Sequence, residues 1–300
     1  MINEINYFYK LYPEEIKKID NGYSFYIGDI KYYLLFYTKS VREFEMVLTI
    51  YNGFKNRNIL IDEIILNVFG SYFSMIDGNN YFLLKVNESS NEKSLKEINV
   101  FDNVLKTNKK DELGYVNWNE LWGKKVDYYE SRIIDLRDIE YVKMSFDYYV
   151  GLSENAISYV RETIEGIKND DLVIGHKRLS KKFNNVYNPF NLVIDYESRD
   201  IAEYIKSKFF YDIFSFSELE ELVESKMFSE FSLRMLFGRL LYPSYYFDVI
   251  DKLFRKENAL EELKCIIDKI NLYEEFLIEV SDYLSSFYPL PKIDWLYRNR

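Results

Sequence analysis

At 300 residues, with 48% hydrophobic and 18% aromatic side chains, the chain can bury a large core and lies outside disordered composition. A formal charge of −10 argues against a nucleic-acid backbone as main partner, since that affinity rests on clustered Lys and Arg. No apolar stretch approaches the length of a membrane span, so none is expected.

The first residues, Met1-Ile-Asn-Glu-Ile-Asn6, lack a basic region followed by an apolar core, so no secretory leader is read and a reducing, cytoplasmic compartment is expected. Residues 7–19 interleave aromatic and apolar positions with Glu and Lys and hold Pro13 near a helix start. Asn21-Gly22 is a turn signal ahead of two alternating aromatic runs, 23–27 and 31–37, joined by Gly28-Asp29; this predicts a meander. Phe44, Val47, Leu48 and Tyr51 recur at helical spacing and predict one amphipathic helix over 41–51. Residues 59–69, the turn Asp77-Gly-Asn-Asn80 and the run 81–86 complete a sheet.

From 87 to 97 the sequence is polar and Ser-rich and reads as a connector. The short basic runs, Lys106, Lys109 and Lys110 and then Lys177 to Lys182, adjoin turn-rich sequence and read as solvated loops. Trp118, Leu121, Trp122, Val126 and Tyr129 share one helical face, and 133–149 and 153–168 predict two more helices, the second capped by Ser153. Further helices are expected over 217–227, 232–241, 245–254 and 259–287. Within the last, the single cysteine, Cys265, excludes an intrachain disulfide and reads as a small buried hydrophobe. Tyr242, Tyr245, Tyr246 and Phe247 are expected partly in the helical core, and Trp295 is expected to pack the tail onto the body.

Between the helical groups lies the most informative stretch. Leu192-Val193-Ile194 reads as a short buried strand that delivers Asp195 to its carboxyl end. Asp200 and Glu203 have the spacing of a capping box, a structural role. His176, the only histidine, follows Val173-Ile-Gly and has no second His or Cys near it to complete a zinc shell. From spacing alone, Asp195 is open to two readings, a hydrogen-bond hub or a metal ligand. The sum is an α+β protein: a small antiparallel sheet with one helix over 1–87, and a larger, mainly helical part over 88–300 that carries the stretch 173–206. That order of parts matches a bilobal, protein-kinase-like fold.

Five blocks make the likeness specific: Leu121-Trp-Gly-Lys-Lys-Val-Asp127, residues 146–157, Val193-Ile-Asp-Tyr-Glu-Ser-Arg-Asp-Ile-Ala-Glu-Tyr-Ile205, residues 233–248 and Leu290-Pro-Lys-Ile-Asp-Trp-Leu296. On these the chain resembles the spore coat kinase-like proteins of the CotS and YutH group, within the aminoglycoside phosphotransferase-like superfamily. The resemblance implies a sheet lysine, a helix glutamate, a catalytic Asp in a His-x-Asp loop followed by an Asn, and a metal-binding Asp after a short strand. Asp195 matches the metal ligand. His176-Lys177-Arg178 falls on the His-x-Asp place, so Arg178 stands where the base belongs, and Phe183 falls at the Asn spacing with Asn184 beside it.

The small sheet departs as well. Leu35 and Phe36 hold the lysine positions; Lys39 is the nearest substitute for a nucleotide-binding lysine, with Lys31 at the far end of the strand. Glu43 and Glu45 are the candidate helix carboxylates, and Tyr23, Phe25 and Tyr26 are expected to crowd the place of a Gly-rich phosphate loop. Read together, these losses imply a kinase-like scaffold with degenerate motifs, needing no cofactor and, by resemblance only, associating with spore coat proteins. The alternative is an ATP-dependent phosphotransferase using Mg and ATP, with Asp195 and a relocated base such as Asp147 or Glu197. The 29 tyrosines could also form an interaction surface, although core packing and coding bias account for most of them.

Overall fold

The computed structural model describes residues 1–87, 94–98, 117–179 and 185–298. The chain divides into two compact units, Met1–Lys93 with Lys182–Leu192, and Ser94–Lys181 with Val193–Arg300. Phe183, Asn184 and most of the two basic runs lie outside the described residues.

The first unit runs α1 (Ile2–Tyr9), β1 (Ile16–Ile19), β2 (Gly22–Ile27), β3 (Ile30–Phe36), α2 (Val41–Asn56), β4 (Glu63–Ile65), β5 (Ser74–Ile76) and β6 (Asn79–Lys85). The strands pair antiparallel in the order β1-β2-β3-β6-β4, with β5 also on β6. Side chains alternate across a strand, so Phe25 and its register partner Tyr32 fall on one face, where their rings stack at 5.4 Å. With Leu34, Leu83, Ile76 and Ile5 and Tyr9 of α1 they form the core on that side. Phe25 therefore belongs to this core rather than crowding a phosphate loop. On α2, Phe44 packs near Phe82, 6.5 Å between ring centroids, and the Tyr51 hydroxyl accepts from the Ile64 N–H at 3.4 Å.

One sequence expectation fails in this unit for a local reason. Residues 7–19 do not form one segment: α1 ends in left-handed Lys10, and Ile16-Lys-Lys-Ile19 becomes an edge strand because β2 offers it a full ladder of partners. Its two exposed lysines guard that edge against further pairing. The second residue of the turn signal has no room for a side chain, since a Cβ on Gly22 (φ +142°) would lie 2.1 Å from the Leu34 carbonyl oxygen. Between Pro189 and Asn191 a 3-10 turn brings Phe190 against Phe82, 4.1 Å between ring centroids.

The second unit holds α3 (Leu95–Ile98), α4 (Trp118–Arg132), α5 (Glu140–Gly166), β7 (Val173–His176), β8 (Leu192–Asp195), α6 (Ser198–Tyr211), α7 (Phe216–Ser225), α8 (Glu230–Leu241), α9 (Ser244–Phe254), α10 (Leu260–Asp268) and α11 (Ile270–Ser285). β8 starts on the last residue of the first unit and pairs with β7 in a two-stranded sheet. The two helices expected over 133–168 are mainly one, the 27-residue α5, because Ser153 is no cap: its hydroxyl donates back to the Tyr149 carbonyl at 2.7 Å. The run 259–287 breaks at Lys269 into α10 and α11. Cys265 is exposed, on the outer face of α10 opposite buried Leu263 and Ile266, which corrects the buried reading.

The aromatic expectations hold. Tyr242, Tyr245, Tyr246 and Phe247 are all buried, with Tyr246 stacked on Tyr149 at 3.8 Å, and Trp295 lies 5.5 Å from Tyr148. Gly238 lets α8 sit close to α5, since a Cβ there would meet Val160 Cγ2 at 2.5 Å.

One buried carboxyl ties the first unit together where β6 ends. Asp62 is 5% exposed; its N–H donates to the Tyr187 carbonyl at 2.8 Å and its Oδ1 accepts from the Asn87 N–H at 2.9 Å. Burial pushes this carboxyl up to about 6, against the opposing effect of the Asn87 N–H. Because the folded state then holds the proton more tightly than the unfolded chain, Asp62 adds stability below about pH 4 that is lost as pH rises through about 6. Urea titrations between those limits are expected to show stability falling with pH, and Asp62→Asn to flatten that slope; an unchanged slope in the variant would contradict the assignment.

Candidate functional site

β8 is a fully buried apolar strand, and its last residue is Asp195, which is 0% exposed. A carboxylate taken this far from water must be neutralised and hydrogen-bonded, or it shifts to its neutral form. Four groups surround it. The Trp118 indole N–H donates to Oδ1 at 2.9 Å, and the Tyr196 backbone N–H donates to the same oxygen at 2.7 Å. Arg199 Nη1 donates to Oδ2 at 2.9 Å, and Arg239 Nη2 lies 2.9 Å from each oxygen. Both guanidinium groups also lie over the Trp118 ring, 4.7 and 4.4 Å from its centroid. One carboxylate, two guanidiniums and one indole thus make a compact buried unit.

Each partner has a local origin. Arg199 is placed by α6, one turn beyond Asp195, and its Nε and Nη2 donate to the His176 and Lys177 carbonyls, both at 2.6 Å, which fixes the backbone after β7. Arg239 comes from α8, where burial pulls its guanidinium pKa down against the opposing charge of Asp195. Trp118 is the first residue of α4.

Asp200 joins the same assembly in another role. The helix starts at Ser198, so Asp200 is not the cap that its spacing suggested. Its Oδ1 accepts the His176 backbone N–H at 3.0 Å and its Oδ2 meets His176 Nδ1 at 2.6 Å, with both residues buried. Gly175 makes this approach possible, because a Cβ there would lie 3.2 Å from both carboxylate oxygens. Glu203 lies inside α6 and pairs with buried Lys206 at 2.7 Å. Burial works to raise the Glu203 carboxyl, but Lys206, Arg199 and Arg178 outweigh it and bring the pKa to about 2.

Arg178 turns its side chain to a surface pocket of about 340 Å³, where it pairs with Asp248. Burial pulls its guanidinium pKa down, but Asp248 and Glu203 outweigh that and leave it raised. Of the alternative carboxylates, Asp147 is exposed on α5 and Glu197 pairs with Lys226. In the first unit, Lys39 meets Glu43 at 2.5 Å, one helical turn apart at the start of α2. Trp118 and Arg239 are absent from the sequence-based candidates, although an arginine inside the apolar run Leu233-Arg-Met-Leu-Phe-Gly-Arg-Leu-Leu241 is itself a sign of a buried partner.

The sequence matches the family described as "Spore coat putative kinase YutH" over residues 2–280. It is 30% identical over 210 residues to the endospore coat-associated protein YutH of Bacillus subtilis (strain 168), covering 60% of this chain and 61% of that protein, less than two thirds of its length. Among solved structures, the spectinomycin phosphotransferase complex with ADP and spectinomycin has a TM-score of 0.64 at 12% identity, covering 95% of this chain and 97% of that one. An aminoglycoside phosphotransferase from Alicyclobacillus acidocaldarius has a TM-score of 0.58 at 9% identity, covering 93% and 94%. A third, determined with GDP and kanamycin, has a TM-score of 0.53 at 11% identity, covering 94% and 98%. These likenesses bear out the expected fold class, a sheet-bearing first part and a helical second part.

Breaking the buried unit leaves an uncompensated charge. Arg239→Met is therefore expected to cost about 3–5 kcal/mol in chemical denaturation, with part of the loss recovered in the double variant Asp195→Asn/Arg239→Met. A single-variant loss below about 1 kcal/mol would contradict this role.

Proposed function

The chain belongs to the spore coat YutH family, and from that membership we propose that it keeps the aminoglycoside phosphotransferase fold while serving as a non-catalytic binding component associated with the spore coat. The observation that carries this reading is the saturation of Asp195. Its two oxygens already accept five hydrogen bonds, two guanidiniums provide the positive charge, and the group is fully buried. A divalent metal needs free carboxylate lone pairs and a negative surrounding, so this donor set does not fit Mg. Among the described residues no group of three or more His, Cys, Asp or Glu side chains offers another metal site.

Arg178 supports the same reading. A guanidinium remains charged at any working pH and cannot accept the proton of a substrate hydroxyl. Loss of such a base removes an acceleration of about 10²–10⁴. The association with the coat rests on the relative named as endospore coat-associated, and no described helix is long and apolar enough to cross a membrane.

A second reading has one observation in its favour. The Lys39–Glu43 pair reproduces, over one helical turn, the lysine and glutamate partnership that nucleotide chemistry uses. Under that reading the chain is an ATP-dependent phosphotransferase with a base other than Arg178. Incubation of the full chain with Mg-ATP separates the two: no phosphate release or transfer above the protein-free blank is expected. Robust, Mg-dependent turnover would contradict the non-catalytic reading.

A further inference from the structure

A cavity of about 550 Å³ lies within the first unit, lined by the segment leading from α1 into β1 and by residues 24–28. That is an ordinary size for a small-molecule site. Its walls are fixed by the chain on either side. α1 ends at left-handed Lys10, Leu11 then packs on the core and Pro13 is buried, which holds Tyr12, Glu14 and Glu15 outward. Beyond β2, Gly28 turns the chain at φ +58°, and a Cβ there would meet nothing within 4 Å.

The floor is the β1–β2 ladder, where Lys17 and Ser24 are register partners and so share one face. Ser24 is 9% exposed and lines the cavity, yet its hydroxyl makes no hydrogen bond among the described residues. A hydroxyl recessed in this way is satisfied by whatever fills the cavity. A ligand oxygen that takes up the same bond replaces water there without loss.

The charges around it are also without partners. Glu14, Glu15 and Lys17 line the cavity and form no ion pair among the described residues. In the pocket of the second unit, by contrast, Arg178 pairs with Asp248, Lys206 with Glu203 and Lys252 with Glu262. Two carboxylates suit an ammonium group, and an ammonium opposite a hydroxyl suits a carboxylate. Tyr12 and Tyr26, 68% and 53% exposed, add two open rings beside the apolar Ile16 and Ile27.

We propose that this cavity binds a small zwitterion, an α-amino acid with an aromatic or apolar side chain. Glu14 and Glu15 take its ammonium, Lys17 and the Ser24 hydroxyl take its carboxylate, and Tyr12 and Tyr26 flank its side chain. A bare amine leaves Lys17 without a counter-charge and a bare carboxylate meets two carboxylates, so each binds more weakly than the zwitterion. The site shares no residue with the Asp195 assembly or with the Arg178 pocket, and it does not rest on the non-catalytic reading.

Isothermal titration of the full chain with L-phenylalanine tests the proposal, alongside phenethylamine, which lacks the carboxylate, and 3-phenylpropionate, which lacks the ammonium. Saturable binding of L-phenylalanine is expected, with each analogue weaker by about tenfold or more. The double variant Glu14→Gln/Glu15→Gln alters exposed groups without internal partners, so it is expected to fold as the native chain does and to weaken binding about tenfold. Ser24→Ala should weaken it about fivefold. Absence of saturation with L-phenylalanine up to about 50 mM, equal affinity for either analogue, or native affinity in the double variant would overturn the proposal. Failure here leaves the non-catalytic reading in place, whereas Mg-ATP turnover would remove that reading without bearing on this cavity.

Discussion

The second unit depends on one constraint: a carboxylate placed at the buried end of a strand must be neutralised without water. Asp195 meets it with two arginines from different helices and an indole from a third. Because Arg199 also binds the His176 and Lys177 carbonyls, neutralising Asp195 also fixes the loop that leads to Arg178. Asp200 then clamps His176 from the other side, and Gly175 leaves the space for it. The strand end, the loop and the starts of α4 and α6 are thereby one hydrogen-bonded assembly.

Such an assembly is not in itself a source of large net stability. Removing charges from water costs several kcal/mol per ion, and the Coulomb gain in the interior repays this only where geometry and hydrogen bonding are complete. What a complete assembly supplies is specificity, because any alternative packing would strand a charge. Stacking both guanidiniums on Trp118 adds cation–π attraction and excludes water from the same spot. On the proposed reading, the carboxylate expected to hold a metal is instead neutralised by two guanidiniums, and a third guanidinium, that of Arg178, stands where a proton acceptor is expected.

Much of the first unit was legible in the sequence because strand alternation is a short-range signal: the aromatic runs at 23–27 and 31–37, the turn at Asn21-Gly22 and the helix from Val41 all lie where periodicity puts them. The edge strand at Ile16–Ile19 was not, since two lysines between two isoleucines become a strand only when a neighbour supplies the ladder. In the second unit, Ser153 looked like a cap because the same hydroxyl chemistry satisfies a backbone carbonyl inside a continuous helix. Asp200 misled similarly: a residue type suited to capping is equally suited to holding a buried histidine. The strand that delivers Asp195 could be read from Leu192-Val193-Ile194, but its partners Trp118 and Arg239 lie 77 and 44 residues away, where local pattern carries no information.

A closed structural hub and an available metal ligand at Asp195 make opposite demands on the groups around it. The Trp118 indole N–H, which donates to that carboxylate at 2.9 Å, is a direct reporter. In a ¹H–¹⁵N NMR spectrum of the full chain titrated with ATP and the paramagnetic ion Mn²⁺, the closed hub predicts that the Trp118 indole resonance keeps its position and width. Selective broadening of that resonance, reversed by chelation, would place a metal at Asp195 and contradict the account.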